Sequence, residues 1–141
     1  MRDRGSVVLI NDKKVALIKR IKENDTYYVF PGGGIEERET SEEAAVREAY
    51  EELGLVVRIK ELMATVEWQG TQYFYLAEMV SGTFGTGRGV EFTNKVKDKG
   101  QYVPLWVSID DLDKLDVRPR EVARKVQLLG ISSDTNNDHC Y

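Results

Sequence analysis

One segment of the sequence carries a nearly complete set of helix signals, and it limits the folds open to the chain. Thr40 and Glu43 stand where a reciprocal capping box places its two members, and Gly54 stands where a glycine ends a helix. Between them, an apolar stripe recurs at helical spacing, formed by Ala45, Val46, Ala49, Tyr50 and Leu53. A helix with one apolar face must pack on other elements, so the chain needs a surface for it to cover.

Strand-like segments on both sides of this helix predict that the covered surface is a β-sheet. Apolar, aromatic and β-branched runs separated by turn signals predict strands at residues 6–10, 15–18, 27–30, 55–59, 62–68, 72–80 and 103–107. Residues 119–129 predict a closing helix, with Pro119 in its first turn. This order predicts an α/β (α+β) fold, a helix–sheet–helix sandwich around a mixed β-sheet. We expect a single domain over residues 1–130 and a polar, flexible tail over 131–141.

Charge and composition narrow the class of partner. The chain has a net charge of −4 with scattered lysines and arginines, whereas proteins that hold long nucleic acids usually present a basic face. We therefore expect no long nucleic acid and no membrane as partners, and the sequence allows a homodimer. With a single cysteine and no apolar run that could serve as a leader or span a membrane, a cytoplasmic protein is the simplest expectation.

Three glutamates share one face of the predicted helix. Glu48, Glu51 and Glu52 are spaced i, i+3 and i+4, and a solvated acidic face is the plainer interpretation of such a set. The glycines at 32–34 make a second interpretation available, because a flexible backbone there can offer a carbonyl oxygen beside the three carboxylates. Hard divalent cations such as Mg²⁺ prefer this kind of oxygen donor.

The spacing of these residues resembles the Nudix box, G-x5-E-x7-R-E-U-x-E-E-x-G-U, in which U is apolar. The matching residues are Gly33, Glu39, Arg47, Glu48, Glu51, Glu52, Gly54 and Leu55. The resemblance covers residues 33–55 and is to MutT-like members of the Nudix hydrolase superfamily. Two positions depart from the usual pattern: Ala49 is small for an apolar position, and Arg38 stands where many relatives have glycine.

The resemblance implies a metal-dependent enzyme that cleaves a pyrophosphate bond. It implies that Glu48, Glu51 and Glu52 bind Mg²⁺ or Mn²⁺ together with the backbone carbonyl of Gly32. Arg47 would hold Glu48 and Glu51, and Glu39 would brace the turn before the helix. Gly33, Gly34 and Gly54 would have conformational roles.

The reaction implied by the resemblance converts a nucleoside diphosphate linked to X, plus water, into a nucleoside monophosphate and P–X. The substrate would be a small nucleotide, either a nucleoside triphosphate or an oxidised nucleotide. Hydrolysis of a dinucleoside polyphosphate or a nucleotide sugar is the alternative among enzymes, and a non-catalytic nucleotide sensor is the alternative from another class. The intact set of three glutamates favours an enzyme.

Weaker sequence signals concern the general base, which would accept a proton from the attacking water, and the residues that would contact the substrate. Residues 82–100 predict a long glycine-rich loop, and its Glu91 is a candidate general base or additional metal ligand, with Glu51 as the alternative base. Arg4, Tyr28 and Tyr73 are candidate substrate contacts. Lys19 and Arg20 could also meet phosphates, although a solvated surface is the more common role for such residues. Aromatic residues in strands, Trp68 among them, more often face a core than a base.

Overall fold

The computed structural model describes residues 2–87 and 100–139, and its elements follow the predicted order. The strands are β1 (Arg4–Asn11), β2 (Lys14–Lys22), β3 (Asp25–Val29), β4 (Gly32–Gly34), β5 (Leu55–Glu67), β6 (Thr71–Gly82), β7 (Gln101–Ser108) and β8 (Val117–Arg118). The helices are α1 (Ser41–Leu53) and α2 (Arg120–His139), with a 3₁₀ helix at Ile109–Lys114. No helix within the described residues is both long enough and apolar enough to span a membrane.

The strands of the described residues form a mixed sheet in the order β5-β6-β1-β2-β3-β8, with β4 paired to β1 and β7 paired to β2. Strand β1 runs parallel to β6, and β3 runs parallel to β8, whereas the other pairs are antiparallel. Strands β1 and β2 pair only beside their turn, at Ile10–Val15 and Asn11–Lys14. Farther along, β1 pairs with β4 and β6, while β2 pairs with β3 and β7. The strands therefore divide into two sets joined at the β1–β2 turn.

Two apolar clusters lie on the two faces of the sheet and confirm the predicted sandwich. On one face, Ala45, Ala49 and Leu53 of α1 pack with buried residues that include Val7 and Leu9. On the other face, the 3₁₀ helix and α2 contribute Leu112, Val122 and Val126 to a cluster that contains Val8, Leu17 and Phe74. Each helix buries its apolar side against strands that carry apolar residues on both faces.

The orientation of α1 differs from the predicted stripe at one residue. Tyr50 is 58% exposed, whereas Ala44, outside the predicted stripe, is fully buried. The cause is the close approach of α1 to β1 at Gly5, where an added Cβ would collide with the carbonyl oxygen of Ser41 and lie 3.2 Å from the Ala44 Cβ. This approach turns the side with small residues toward the sheet and leaves Tyr50 at the edge of the buried face.

Two other boundaries differ from the sequence analysis. The separate strands predicted at residues 55–59 and 62–68 are one strand, β5, whose register with β6 shifts at three places. Such bulges interrupt the alternation of apolar residues without ending the strand. Helix α2 begins at Arg120 and continues through Gly130 to His139, beyond the predicted end at Leu129. An interior glycine costs a helix only about 1 kcal/mol, which is too little to stop it.

Candidate functional site

The two ends of α1 are fixed by the caps that the sequence predicts. The Thr40 hydroxyl accepts a hydrogen bond from the Glu43 backbone N–H at 3.1 Å, and the Glu43 carboxylate accepts one from the Thr40 N–H at 2.9 Å. At the other end, Gly54 has a φ of 78° and donates its N–H to the Tyr50 carbonyl. These caps hold in place the helix that carries the three glutamates.

Arg47 is the hub of the site. Its guanidinium donates two hydrogen bonds to the carboxylate of Glu39, at 2.8 Å and 3.0 Å. Nη1 also donates to Oε2 of Glu48 at 3.0 Å and to Oε2 of Glu51 at 2.9 Å, and Nη2 donates to the Gly34 carbonyl at 3.0 Å. One side chain thus ties the loop before α1 to two of its glutamates.

These contacts shift the proton affinities of the groups involved. The hydrogen bond from Arg47 holds the pKa of Glu39 below its usual value of 4.5. The same hydrogen bond to Glu39, with the nearby Glu48 carboxylate, raises the pKa of Arg47. Both groups are therefore charged at neutral pH, and the pair stays ionised where the loop meets the helix.

Glu52 connects α1 to the glycine strand β4. Its side chain is buried, and its Oε1 accepts a hydrogen bond from the backbone N–H of Gly32 at 2.7 Å. The carbonyl of the same Gly32 accepts a hydrogen bond from Nη2 of Arg4 at 3.4 Å. Glu52 and Arg4 therefore both reach the peptide groups of Gly32.

Gly33 is required by the position of Glu48. A Cβ added at Gly33 would collide with the Glu48 carboxylate, because the loop backbone lies directly against this side chain. Glycine at this position therefore lets the loop approach the acidic face of α1. This contact between the loop backbone and Glu48 is the physical reason for the structural role expected of Gly33.

The donors present fit the chemistry of a hard divalent cation. The three carboxylates and the Gly32 carbonyl are oxygen donors of the type that Mg²⁺ and Mn²⁺ prefer. A hydrogen bond joins Glu52 to Gly32, and the close approach at Gly33 brings Glu48 to the same strand. Glu51 keeps 41% of its side chain exposed. Over residues 2–87 and 100–139, no three Asp, Glu, His or Cys side chains converge as a preformed metal cage.

A cavity of about 800 Å³ lies beside the glycine strand. It is lined from both sets of strands by Arg2, Arg4, Ser6, Arg20, Tyr27, Val29, Phe30, Gly34, Val66, Glu67, Trp68, Gln69, Gln72, Phe74, Arg118, Pro119 and Glu121. Its size falls within the usual range for pockets that bind small ligands. Four arginines and several aromatic residues among these suit a ligand with both phosphate and ring groups.

The predicted substrate contacts divide between this cavity and the core. Arg4, Arg20 and Trp68 line the cavity, and Trp68 is 64% exposed. Tyr28 packs against the cluster that contains α2, and Tyr73 stacks on Tyr75 in the cluster that contains α1, so neither lines the cavity. Glu91 lies outside the described residues.

Sequence reasoning did not find two of the cavity arginines, Arg2 and Arg118. Arg2 donates a hydrogen bond to the Ile35 carbonyl at 3.1 Å, and the Arg118 guanidinium carbon lies 4.1 Å from the centre of the Tyr27 ring. Both contacts join residues far apart in sequence. No periodic pattern or motif could have indicated them.

Comparisons with known proteins agree with this geometry. The profile described as the NUDIX domain matches residues 1–126. The chain is 42% identical over 59 residues to an ADP-ribose pyrophosphatase of Methanocaldococcus jannaschii, covering 40% of this chain and 34% of that protein. It is 41% identical over 61 residues to an RNA pyrophosphohydrolase of Psychromonas ingrahamii, covering 43% of this chain and 33% of that protein. The chain thus matches about a third of the length of these curated relatives.

Among solved structures, the fold resembles a NUDIX hydrolase from Nitrosomonas europaea. The TM-score is 0.70 with 21% sequence identity, and the similarity covers 89% of this chain and 86% of that chain. At this identity the comparison shows a shared fold.

Proposed function

Because the chain belongs to the NUDIX domain family, we propose that it is a pyrophosphohydrolase that converts a nucleoside diphosphate linked to X into a nucleoside monophosphate and P–X. The observation that carries the proposal is the hub at Arg47, which holds Glu39, Glu48 and Glu51 beside the glycine strand. An acidic face that served solubility alone would not need this set of shared hydrogen bonds. The relatives named as pyrophosphatase and pyrophosphohydrolase support the same class of reaction.

The residues proposed to hold Mg²⁺ or Mn²⁺ are Glu48, Glu51, Glu52 and the carbonyl of Gly32. A divalent cation, when bound, neutralises charge on the pyrophosphate and lowers the pKa of water. Glu52 is proposed to hold the Gly32 peptide in place through its 2.7 Å hydrogen bond. Arg47 is a positioning residue that keeps Glu48 and Glu51 oriented toward the loop.

Groups of this chain are also proposed to bind the substrate and to accept a proton from the attacking water. Arg4 reaches the Gly32 carbonyl and lines the cavity, so it can bind phosphate oxygens where the cavity meets α1. The apolar lining, with Phe30 and Phe74, suits the nucleoside. The general base is either Glu51, whose side chain is partly exposed, or Glu91.

The preferred substrate we propose is a nucleoside triphosphate or an oxidised nucleotide. The named activities of the two relatives differ from each other, one on ADP-ribose and one on RNA, so neither transfers directly to this chain. A panel of triphosphates, oxidised nucleotides, dinucleoside polyphosphates and nucleotide sugars would rank these substrates. The readout is release of nucleoside monophosphate.

The decisive experiment removes the carboxylates singly. Glu51→Gln and Glu52→Gln should each lower kcat by orders of magnitude in Mg²⁺ or Mn²⁺, because each removes a proposed metal ligand. The thermal midpoint should stay similar or rise, since one charge is lost from a crowded acidic face. Glu42→Gln, an exposed glutamate in the first turn of the same helix, is the matched control and should keep parental activity. Full activity in excess chelator would refute the proposed metal dependence.

A further inference from the structure

Residues 83–87, which we call the capping turn, follow β6 and lie against the end of α1. The Gly85 backbone N–H donates a hydrogen bond to the Leu53 carbonyl at 2.9 Å. Carbonyls in the last turn of a helix have no partner within the helix, so this hydrogen bond satisfies one of them from outside. The capping turn therefore adds a second set of contacts to the helix end that Gly54 caps.

Close backbone packing extends these contacts to two glutamates of α1. A Cβ added at Gly87 would collide with the backbone carbonyls of Glu51 and Glu52, and a Cβ added at Gly54 would collide with the Thr86 hydroxyl. Because glycine has no Cβ, it permits the two backbones to approach this closely. The capping turn thus contacts the backbone of two residues whose side chains are proposed to bind the metal.

The capping turn is also anchored to the sheet. The centres of the Phe84 and Trp106 rings lie 5.0 Å apart, and both side chains pack against the apolar cluster that contains α1. Trp106 belongs to β7 and pairs with Ala16 of β2. Within the turn, the Thr86 hydroxyl donates a hydrogen bond to the Thr83 carbonyl at 2.6 Å. The end of α1 is therefore joined to the strand set that contains β2 and β7.

The last turn of α1 needs such support because of its charge. Glu51 and Glu52 lie near the negative end of the helix dipole, where acidic side chains disfavour the helix, and the last turn contains no basic residue. Arg47 donates hydrogen bonds to the side chains of Glu48 and Glu51, whereas the capping turn contacts the backbone. Without these backbone contacts, we expect the last turn to fray in the absence of a cation.

We propose that Gly87 and Phe84 are positioning residues for metal binding, because the capping turn holds the backbone of Glu51 and Glu52 in helical geometry before the cation binds. This inference rests on the proposed function for the identity of the metal ligands. A cap with a purely structural role would change the free energy of unfolding, and it would leave the metal affinity of the folded protein unchanged.

Binding of Mn²⁺ to the substrate-free protein tests the inference apart from catalysis. Electron paramagnetic resonance of the free ion measures the dissociation constant. Gly87→Ala should displace the capping turn from the backbone of Glu51 and Glu52, so that fewer of the folded molecules keep the last turn formed. If that fraction falls to about a tenth, the apparent affinity for Mn²⁺ falls by about tenfold.

Gly100→Ala is the matched control. An added Cβ at Gly100 would collide with the Ile21 carbonyl of β2, and the φ of 73° at Gly100 adds strain for any other residue. This substitution should lower the thermal midpoint, as Gly87→Ala does, but it should leave the affinity for Mn²⁺ at the parental value. An equal loss of affinity in Gly100→Ala would show that lower stability alone weakens binding, and it would overturn the inference.

Variants of Phe84 provide a second test if Gly87→Ala does not fold. Phe84→Leu removes the ring contact with Trp106 that anchors the capping turn, so it should also weaken Mn²⁺ binding. Phe84→Tyr keeps an aromatic ring at this position and should restore the parental affinity. A loss that Phe84→Tyr shared in full would argue against the ring contact as the anchor.

The outcomes separate this inference from the proposed function. Parental affinities for Mn²⁺ in folded Gly87→Ala and Phe84→Leu would overturn the positioning role and leave the proposed function intact. Weaker binding in these variants, without hydrolysis of any nucleotide by the parent, would support the positioning role and refute the enzymatic function. A parent that bound no Mn²⁺ would refute the proposed metal site and this inference together.

Discussion

At the scale of single residues, the site depends on the geometry of Arg47 as well as its charge. Its planar guanidinium donates two hydrogen bonds to Glu39. It also donates hydrogen bonds to Glu48, Glu51 and the Gly34 carbonyl. A lysine at this position would provide one point charge on a flexible stem, and it could not satisfy these acceptors together. The substitution therefore tests the role of the fork.

Arg47→Lys should lower kcat by about tenfold or more while KM changes much less, since the lost hydrogen bonds are charge-assisted ones. Steady-state kinetics on the best substrate of the panel measures both constants. Arg58→Lys provides the comparison, because the exposed Arg58–Glu78 pair lies away from the site and should tolerate the change. Equal rates for Arg47→Lys and the parent would show that the fork is dispensable.

The Glu39–Arg47 pair should make stability depend on pH in the acidic range. The pKa of Glu39 is lowered in the folded protein, so its contribution to stability is fully present above the ordinary value of 4.5. This contribution is lost as the pH falls through the lower, folded pKa. Denaturant unfolding at a series of pH values should show the parent more stable than Glu39→Gln at neutral pH, with the difference shrinking below about pH 4.5.

Glu78→Gln is the control for this series. Glu78 also has a lowered pKa because of Arg58, but the pair is exposed and screened by solvent, so the variant should differ little from the parent at any pH. A Glu39→Gln difference that stayed constant down to strongly acidic pH would argue against an ionised Glu39 in the folded protein.

At the scale of elements, the capping box joins the stability of α1 to the position of its glutamates. The Thr40 hydroxyl bonds the Glu43 N–H, which has no partner within the helix. Thr40→Ala should lower the free energy of unfolding by about 1 kcal/mol, as measured by urea denaturation. Thr40→Ser keeps an oxygen at the same position and should recover most of that loss. Equal stability of Thr40→Ala and the parent would mean that the cap contributes nothing.

At the scale of the whole molecule, the folding unit is predicted to end near residue 130. The residues of α2 known to be buried in the core, Val122, Ala123 and Val126, all lie before that point, and the helix itself runs to His139. Removing residues 131–141 should therefore leave a cooperatively folding protein with a thermal midpoint lowered by about 4 °C or less. Calorimetry measures this shift. Loss of the cooperative transition would place the segment inside the folding unit.

The sequence alone determined the features that depend on short-range spacing. The capped helix from Thr40 to Gly54 and the common face of Glu48, Glu51 and Glu52 follow from the helical period, and the box of residues 33–55 indicated the family. The contact of Arg47 with Glu51 also follows from this period, because the two residues are four apart on one helical surface, whereas the contact with Glu48 was implied by the resemblance. Local backbone geometry is enough to set these relations.

Only the tertiary structure decided which distant residues meet. Burial of Ala44 in place of Tyr50 depends on the close approach of α1 to Gly5, which no periodicity in the helix reports. The contacts of Arg20 with Tyr27 and Tyr102, and of Arg118 with Tyr27, depend on the pairing of β2 with both β3 and β7 and on the position of β8, and strand pairing is set by the whole chain. The cavity brings Arg2, Arg4, Arg20 and Arg118 together because the strands on either side of the β1–β2 turn separate.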